Sequence, residues 1–324
     1  MRNVLKKTLI GFGFAAGALG LIFLVSVLFF QGKDAHANGV YDPSIAGAFE
    51  EPENTIDVLI VGDSETYSSL IPLQMFEEHG ITSYCCATSG QLLSDSEEIL
   101  RRIFESQSPK IVILETNAIF RKVSTANVFI RKLGDVFSVF TNHDRWKEIG
   151  GSNHSEEDSK RCDTKGYRFS TEVAPVFESG KSQKQALSDR IARQTLFFLD
   201  QIKSVCNEKG AQLLLVSTPS VLNWNEKKHD RLERLSAELD VTYIDMNLLN
   251  EEVPIDWQTD TRDHGDHLNY FGAKKATAYL GAWLSNCGLL TDHREDETYV
   301  SWKKEVETFR AMIASDPTPE GLNH

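Results

Sequence analysis

Two patterns alternate along the chain. Short apolar runs rich in β-branched residues recur at Ile56–Val61, Ile81–Cys86, Lys110–Leu114, Gln212–Val216 and Val241–Asp245. Each has the length and composition of a buried strand. Between them lie helical patterns at Leu93–Ser106, Gln185–Glu208, Glu226–Leu239 and Tyr270–Asn286. In the second of these, Ile191, Leu196, Leu199, Ile202 and Val205 mark the apolar face. Strands alternating with helices of this length predict an α/β fold, with a parallel five-stranded sheet in a three-layer αβα sandwich. Such sheets carry their sites just beyond the carboxyl ends of the strands.

The alternation breaks once. Residues 118–184 hold no clear βα unit, but contain Phe120, Trp146, Tyr167 and the polar stretch Gly150–Lys165. They are expected to form an insertion at the strand-end face, acting as a substrate lid; the competing reading is a surface excursion without a substrate role. Residues 290–324 read as a helical tail with one amphipathic segment, Trp302–Ile313.

The first residues decide the expected compartment. Thr8–Gly32 is uncharged and mostly apolar, long enough at about 1.5 Å rise per residue to cross a ~30 Å hydrocarbon core. Arg2, Lys6 and Lys7 precede it, whereas Lys33 is offset by Asp34. The positive-inside rule therefore keeps residues 1–7 in the cytosol, makes 8–32 a membrane anchor and sends the rest outside. Ala35-His36-Ala37 supports the alternative of a cleaved signal peptide, although the apolar run exceeds the usual ~7–15 residues of such a signal. Residues 33–54, polar and containing Gly, Pro and Asn, read as a linker. The folded domain is expected over 55–289.

Composition narrows the partners. A formal charge of -13 over 324 residues argues against nucleic acid, whose binding relies on a basic surface. The five cysteines, Cys85, Cys86, Cys162, Cys206 and Cys287, form no CxxC pair or zinc pattern.

Four short stretches carry candidate chemistry, three of them directly after predicted strands. Ser64 in Gly62-Asp63-Ser64 is placed to present a hydroxyl at the top of the sheet, though it needs a base to become nucleophilic. Gly90 in Thr88-Ser89-Gly90-Gln91 lets a backbone N–H approach a bound oxygen. Asn117 in Glu115-Thr116-Asn117 offers a donor to a developing oxyanion. The fourth stretch, Asp263-His264-Gly265-Asp266-His267-Leu268-Asn269, crowds two imidazoles and two carboxylates together. A histidine beside a carboxylate is held in one tautomer and accepts a proton at its other nitrogen. A metal site is the rival, but its only loose additional ligands are His143 and His154, so no metal is expected.

Taken together, these stretches resemble those of the SGNH (GDSL-like) hydrolases over about residues 55–286. The run His267-Leu268-Asn269-Tyr270-Phe271-Gly272-Ala273 is similar to a segment of membrane-anchored members in Gram-positive bacteria. The resemblance implies a flavodoxin-like layout and no cofactor. It also implies Ser64 as nucleophile, His267 as base, and an oxyanion hole of the Ser64 and Gly90 N–H groups with the Asn117 side chain. The family's usual acid lies three residues before the histidine, a position held here by His264. Asp263 is therefore favoured as the acid, with Asp266 as the alternative. Glu115 and Ala118 also stand where the family has Gly and Asp around its asparagine. The implied activity is hydrolysis of O-acyl, above all O-acetyl, groups on cell-wall or exopolysaccharide glycans. Two alternatives stay open: an acyltransferase, working beside a multi-spanning acyl-transfer membrane protein, and a non-catalytic carbohydrate-binding module.

Overall fold

The computed structural model describes residues 17, 20, 42–121, 164–177 and 188–316. Nearly all belong to one compact unit, 42–122 with 158–324; of the second unit, 1–41 with 123–157, only Gly17 and Gly20 are described, and both are helical. The proposed anchor at 8–32 therefore lies almost wholly outside the described residues. Among the described residues, no helix is long and apolar enough to cross a membrane.

Five parallel strands form the sheet: β1 (Val58–Gly62), β2 (Ser83–Ala87), β3 (Ile111–Glu115), β4 (Gln212–Ser217) and β5 (Thr242–Asp245). Their order is β2-β1-β3-β4-β5, the flavodoxin-like order, in which the chain switches direction of travel between β1 and β3. The helices are α1 (Pro43–Glu50), α2 (Ser64–Ser69), α3 (Pro72–His79), α4 (Leu93–Ile103), α5 (Arg193–Lys209), α6 (Glu226–Leu239), α7 (Tyr270–Ser285) and α8 (Val300–Ser315). The strands are continuous apolar runs because both faces are covered. Val58, Ile60, Ile113, Leu214 and Val216 pack with Ala276, Leu280 and Leu284 of α7 in one core. The alternate residues, Leu59 and Val61 among them, are equally buried and point to the opposite face, where α4 and α5 pack together.

Three expectations change. Residues 42–54 are not linker: α1 is capped by Asp42, buries Ile45 and Ala48, and receives the Tyr84 hydroxyl of β2 on the Ser44 carbonyl at 2.9 Å. The helix expected from Gln185 starts at Arg193, after an extended stretch. The lid expected over 118–184 is not what its described parts form. Residues 118–120 complete a 3-10 turn, Thr116–Phe120. Residues 164–177 are part of the body: the Lys165 carbonyl accepts from Cys85 N at 3.0 Å, and Arg168 N donates to the Tyr67 carbonyl at 2.8 Å. The remainder of that span lies outside the described residues, as do Cys162, His143 and His154. Cys85, Cys86, Cys206 and Cys287 are free thiols.

Candidate active site

Ser64 and Asn117 follow β1 and β3, the two adjacent strands at the switch point, where sheets of this topology bind ligands. β1 can run close to the end of β3 because residue 62 is glycine: a Cβ there would lie 2.8 Å from Glu115 Cβ and 2.2 Å from Thr66 Oγ1. Asp63 caps α2, its Oδ1 accepting from Glu65 N at 3.0 Å. Ser64, 7% exposed, then opens the helix, in the first turn, where backbone N–H groups have no partner within the helix.

The loop after residue 260 holds the imidazole. His267 Nδ1 lies 2.5 Å from Asp263 Oδ2 and 3.6 Å from Asp266 Oδ2. Asp263 Oδ1 also accepts the His267 backbone N–H at 2.6 Å. Nδ1 therefore carries the proton toward Asp263, and Nε2 is the ring's free base. The Asp263 carboxyl titrates below its usual range: burial alone raises it, and the hydrogen bonds and charge of His267 outweigh that.

Backbone geometry explains the spacing of four. His264 at φ 63 and Gly265 at φ 95 are both left-handed, so the chain reverses between acid and base. Gly265 also has no room for a side chain, since a Cβ would meet Val176 Cγ2 at 2.8 Å and Val221 Cβ at 2.9 Å. His264, three residues before His267, is engaged elsewhere, its Nδ1 2.8 Å from the Pro175 carbonyl and its ring centre 4.2 Å from that of Phe177, tilted by 30°. Residues 174–176 brace the loop further, with Ala174 N donating to Thr261 O at 2.9 Å and His264 N to Ala174 O at 3.0 Å.

Two bridges tie this loop to α2. Asn223 Nδ2 donates both to Glu65 Oε1 and to Asp266 Oδ1, each at 2.6 Å, joining the neighbours of Ser64 and His267. Arg262 Nη2 reaches Ser68 Oγ at 2.6 Å. Asp266 is thus engaged by Asn223, whereas Asp263 serves the imidazole. The ligand atoms of Asp263, Asp266 and His267 lie within 4.8 Å of one another, but both Asp263 oxygens are spent on His267, the arrangement of an oriented base rather than of a metal ligand set.

Asn117 does not point freely into the site. Its Nδ2 donates to Asp63 Oδ2 at 3.0 Å, the same oxygen that accepts from Arg121 Nε at 2.5 Å. One of its two amide hydrogens remains for a ligand. Gly90 lies on the same rim: a Cβ there would sit 3.9 Å from Arg121 Nη1.

In the sequence, Asp63 and Glu115 stood only as neighbours of Ser64 and Asn117, with no role of their own, and Glu65, Asn223 and Lys228 were not flagged. Glu65, Glu115, Asn117, Asn223, Trp224 and Lys228 help line an open cleft. Burial, reinforced by the neighbouring carboxylates, raises Glu65 well above the usual carboxyl range. It pushes Glu115 up to about 8, with Asp63 adding to the effect. Burial lowers Lys228 against the pull of the same carboxylates. The available signal was Glu115 itself, a charge closing an apolar strand.

No family model matches the sequence, and no curated protein matches it. Solved structures similar to it include TesA, 12% identical, covering 72% of this chain and 99% of that one at a TM-score of 0.38. Another is a GDSL-like lipase from Bacteroides thetaiotaomicron, 12% identical, covering 70% and 86% at a TM-score of 0.33. Likeness at this level carries no weight for the activity, whose case rests on the distances above.

Proposed function

We propose that the protein is a serine esterase of the SGNH type, acting outside the membrane on O-acyl, above all O-acetyl, groups of cell-wall or exopolysaccharide glycans. The observation that carries it is the 2.5 Å Asp263–His267 pair, in a loop bonded to the helix that Ser64 opens at the sheet's switch point. The extracytoplasmic setting is supported by the apolar run 8–32 and its basic flank, and the glycan by that setting.

Ser64 Oγ adds to the ester carbonyl while its proton passes to His267 Nε2, with Asp263 holding the imidazolium. The Ser64 and Gly90 N–H groups and the remaining Asn117 amide hydrogen receive the oxyanion. Collapse expels the alcohol, which takes the proton from Nε2. Water then adds to the acyl-enzyme by the same route and releases the acid and free Ser64.

A fluorophosphonate probe and p-nitrophenyl acetate test this. The wild type is expected to be labelled at Ser64 and to release p-nitrophenol, and Ser64→Ala to lose both. Retention of either in Ser64→Ala, or no labelling of the wild type, refutes the serine mechanism. Acylated sugar forming when oligosaccharide is added would move the assignment to acyl transfer.

A further inference from the structure

Asp263 Oδ2 lies 2.5 Å from His267 Nδ1 and Asp266 Oδ2 3.6 Å from it, and the two side chains are 39% and 42% exposed. Neither charge nor burial separates these carboxylates as partners for the imidazole. Their other contacts do. Asp263 Oδ1 accepts the His267 backbone N–H at 2.6 Å, which leaves Oδ2 for the ring. Asp266 Oδ1 accepts from Asn223 Nδ2 at 2.6 Å, and its Oδ2 stops just beyond hydrogen-bond reach of Nδ1. Asn223 is itself held fast. Its other amide hydrogen goes to Glu65 Oε1 at 2.6 Å, on a carboxyl 1% exposed. Its N–H donates to Ser220 Oγ at 3.2 Å, and its carbonyl accepts from Lys228 Nζ at 2.5 Å. Val221 N and Leu222 N both donate to the Gly265 carbonyl, at 3.0 and 3.2 Å, so the chain around Asn223 is fastened to the loop that carries His267.

We propose that Asn223 is a positioning residue that reserves His267 for Asp263 by occupying Asp266. It acts through the carboxylates and not on the ester. Both hydrogens of its amide are spent on carboxyl oxygens, so the amide cannot turn over without aiming its own oxygen at Glu65 and Asp266. Once released, Asp266 would need to close by only about 1 Å to make a charge-assisted bond to Nδ1. As the residue next to His267, it cannot meet Nδ1 along the line that Asp263 takes across the turn, and it would draw the ring out of alignment. A misplacement of ~1 Å at a reacting group costs up to about 100-fold in rate. The same amide also ties the residue after Ser64 to the residue before His267, so one side chain sets both the spacing of base to nucleophile and the choice of acid.

The inference rests on the serine esterase reading, and its test separates the two. The full-length chain is assayed with p-nitrophenyl acetate, at matched folding by circular dichroism. Asn223→Leu roughly keeps the side chain's size and removes both donors, and kcat/KM is expected to fall by about tenfold or more. In an Asp263→Asn background the same substitution is expected to do the reverse, raising kcat/KM by about threefold or more. There a released Asp266 is the one carboxylate beside Nδ1 able to hold the ring in its working tautomer. Loosened packing alone would lower activity in both backgrounds. A fall of less than about twofold from the wild type, or no rise in the Asp263→Asn background, overturns the inference. Asn223→Ser, too short to reach both carboxyls, is followed by proton NMR, which needs no turnover and stands in should Asn223→Leu not fold. The low-field resonance of the His267 Nδ1–H, assigned by its loss in His267→Gln, is expected to shift as that proton changes partner; an unmoved resonance overturns the inference. Failure of the wild type to label with fluorophosphonate instead sinks the esterase reading, and the NMR measurement still judges the clamp.

Discussion

A carboxylate four residues before an imidazole reaches its Nδ1 only if the chain between them turns back, and the left-handed pair His264-Gly265 provides that turn. Asp266, one residue away, is held instead by Asn223. Asp263→Asn is therefore expected to lower kcat/KM for p-nitrophenyl acetate by roughly 100-fold or more, because an amide favours the wrong tautomer of His267. Asp266→Asn should cost less than about tenfold. The reverse ranking, at matched folding by circular dichroism, would reassign the acid. Much of this site was legible: a hydroxyl after β1, an amide after β3 and an Asp/His loop are residue types with few other reasons to coincide. Glu65 and Asn223 were not, because nothing in a lone Glu or Asn tells that folding will bury the one and bring the other 158 positions along the chain to meet it.

At the scale of elements, the five strands were readable because burial on both faces makes each a continuous apolar run, needing no phase to detect. Short helices escaped for the opposite reason. α2, Ser-Glu-Thr-Tyr-Ser-Ser, has every residue buried and five of the six polar or charged, so no apolar stripe announces it; it is held by the Asp63 cap and by its neighbours. α8 was foreseen as an amphipathic segment, but not as a structural member. Its Trp302 is 1% exposed and its ring centre lies 5.5 Å from that of Phe76 in α3. Trp302→Ala should destabilise the fold by about 3–5 kcal/mol, read as a lower midpoint in urea denaturation; a shift under about 1 kcal/mol would mean that α8 is dispensable.

For the molecule as a whole, the buried carboxyls of the cleft set how stability follows pH. Glu115 is pushed up to about 8 by burial, above its unfolded value near ~4.3. The stability it contributes is fully present below the unfolded value and is lost as pH rises through about 8; Glu65 is raised in the same sense. Asp263, lowered in the fold, acts with the opposite sign, its contribution present above its unfolded value and lost as pH falls through the folded one. The melting temperature should therefore decline between about pH 5 and 8, and Glu115→Gln should make that decline shallower. A slope unchanged in the variant would place the proton uptake elsewhere.

Lys165 carries a consequence of its own. Its ammonium, 2% exposed, contacts Glu51 just past α1 and Glu305 of α8, the latter at 2.6 Å, and lies 4.5 Å from the centre of the Trp302 ring. One cation from mid-chain thus fastens the first and last helices of the body to the edge of the sheet beside β2. With Lys165 neutralised, the Glu51 and Glu305 carboxylates would lose the cation between them, and both helices would loosen together. Trimming one end of the body would leave this cation a single carboxylate, whereas trimming both would strand a buried charge with no partner from either.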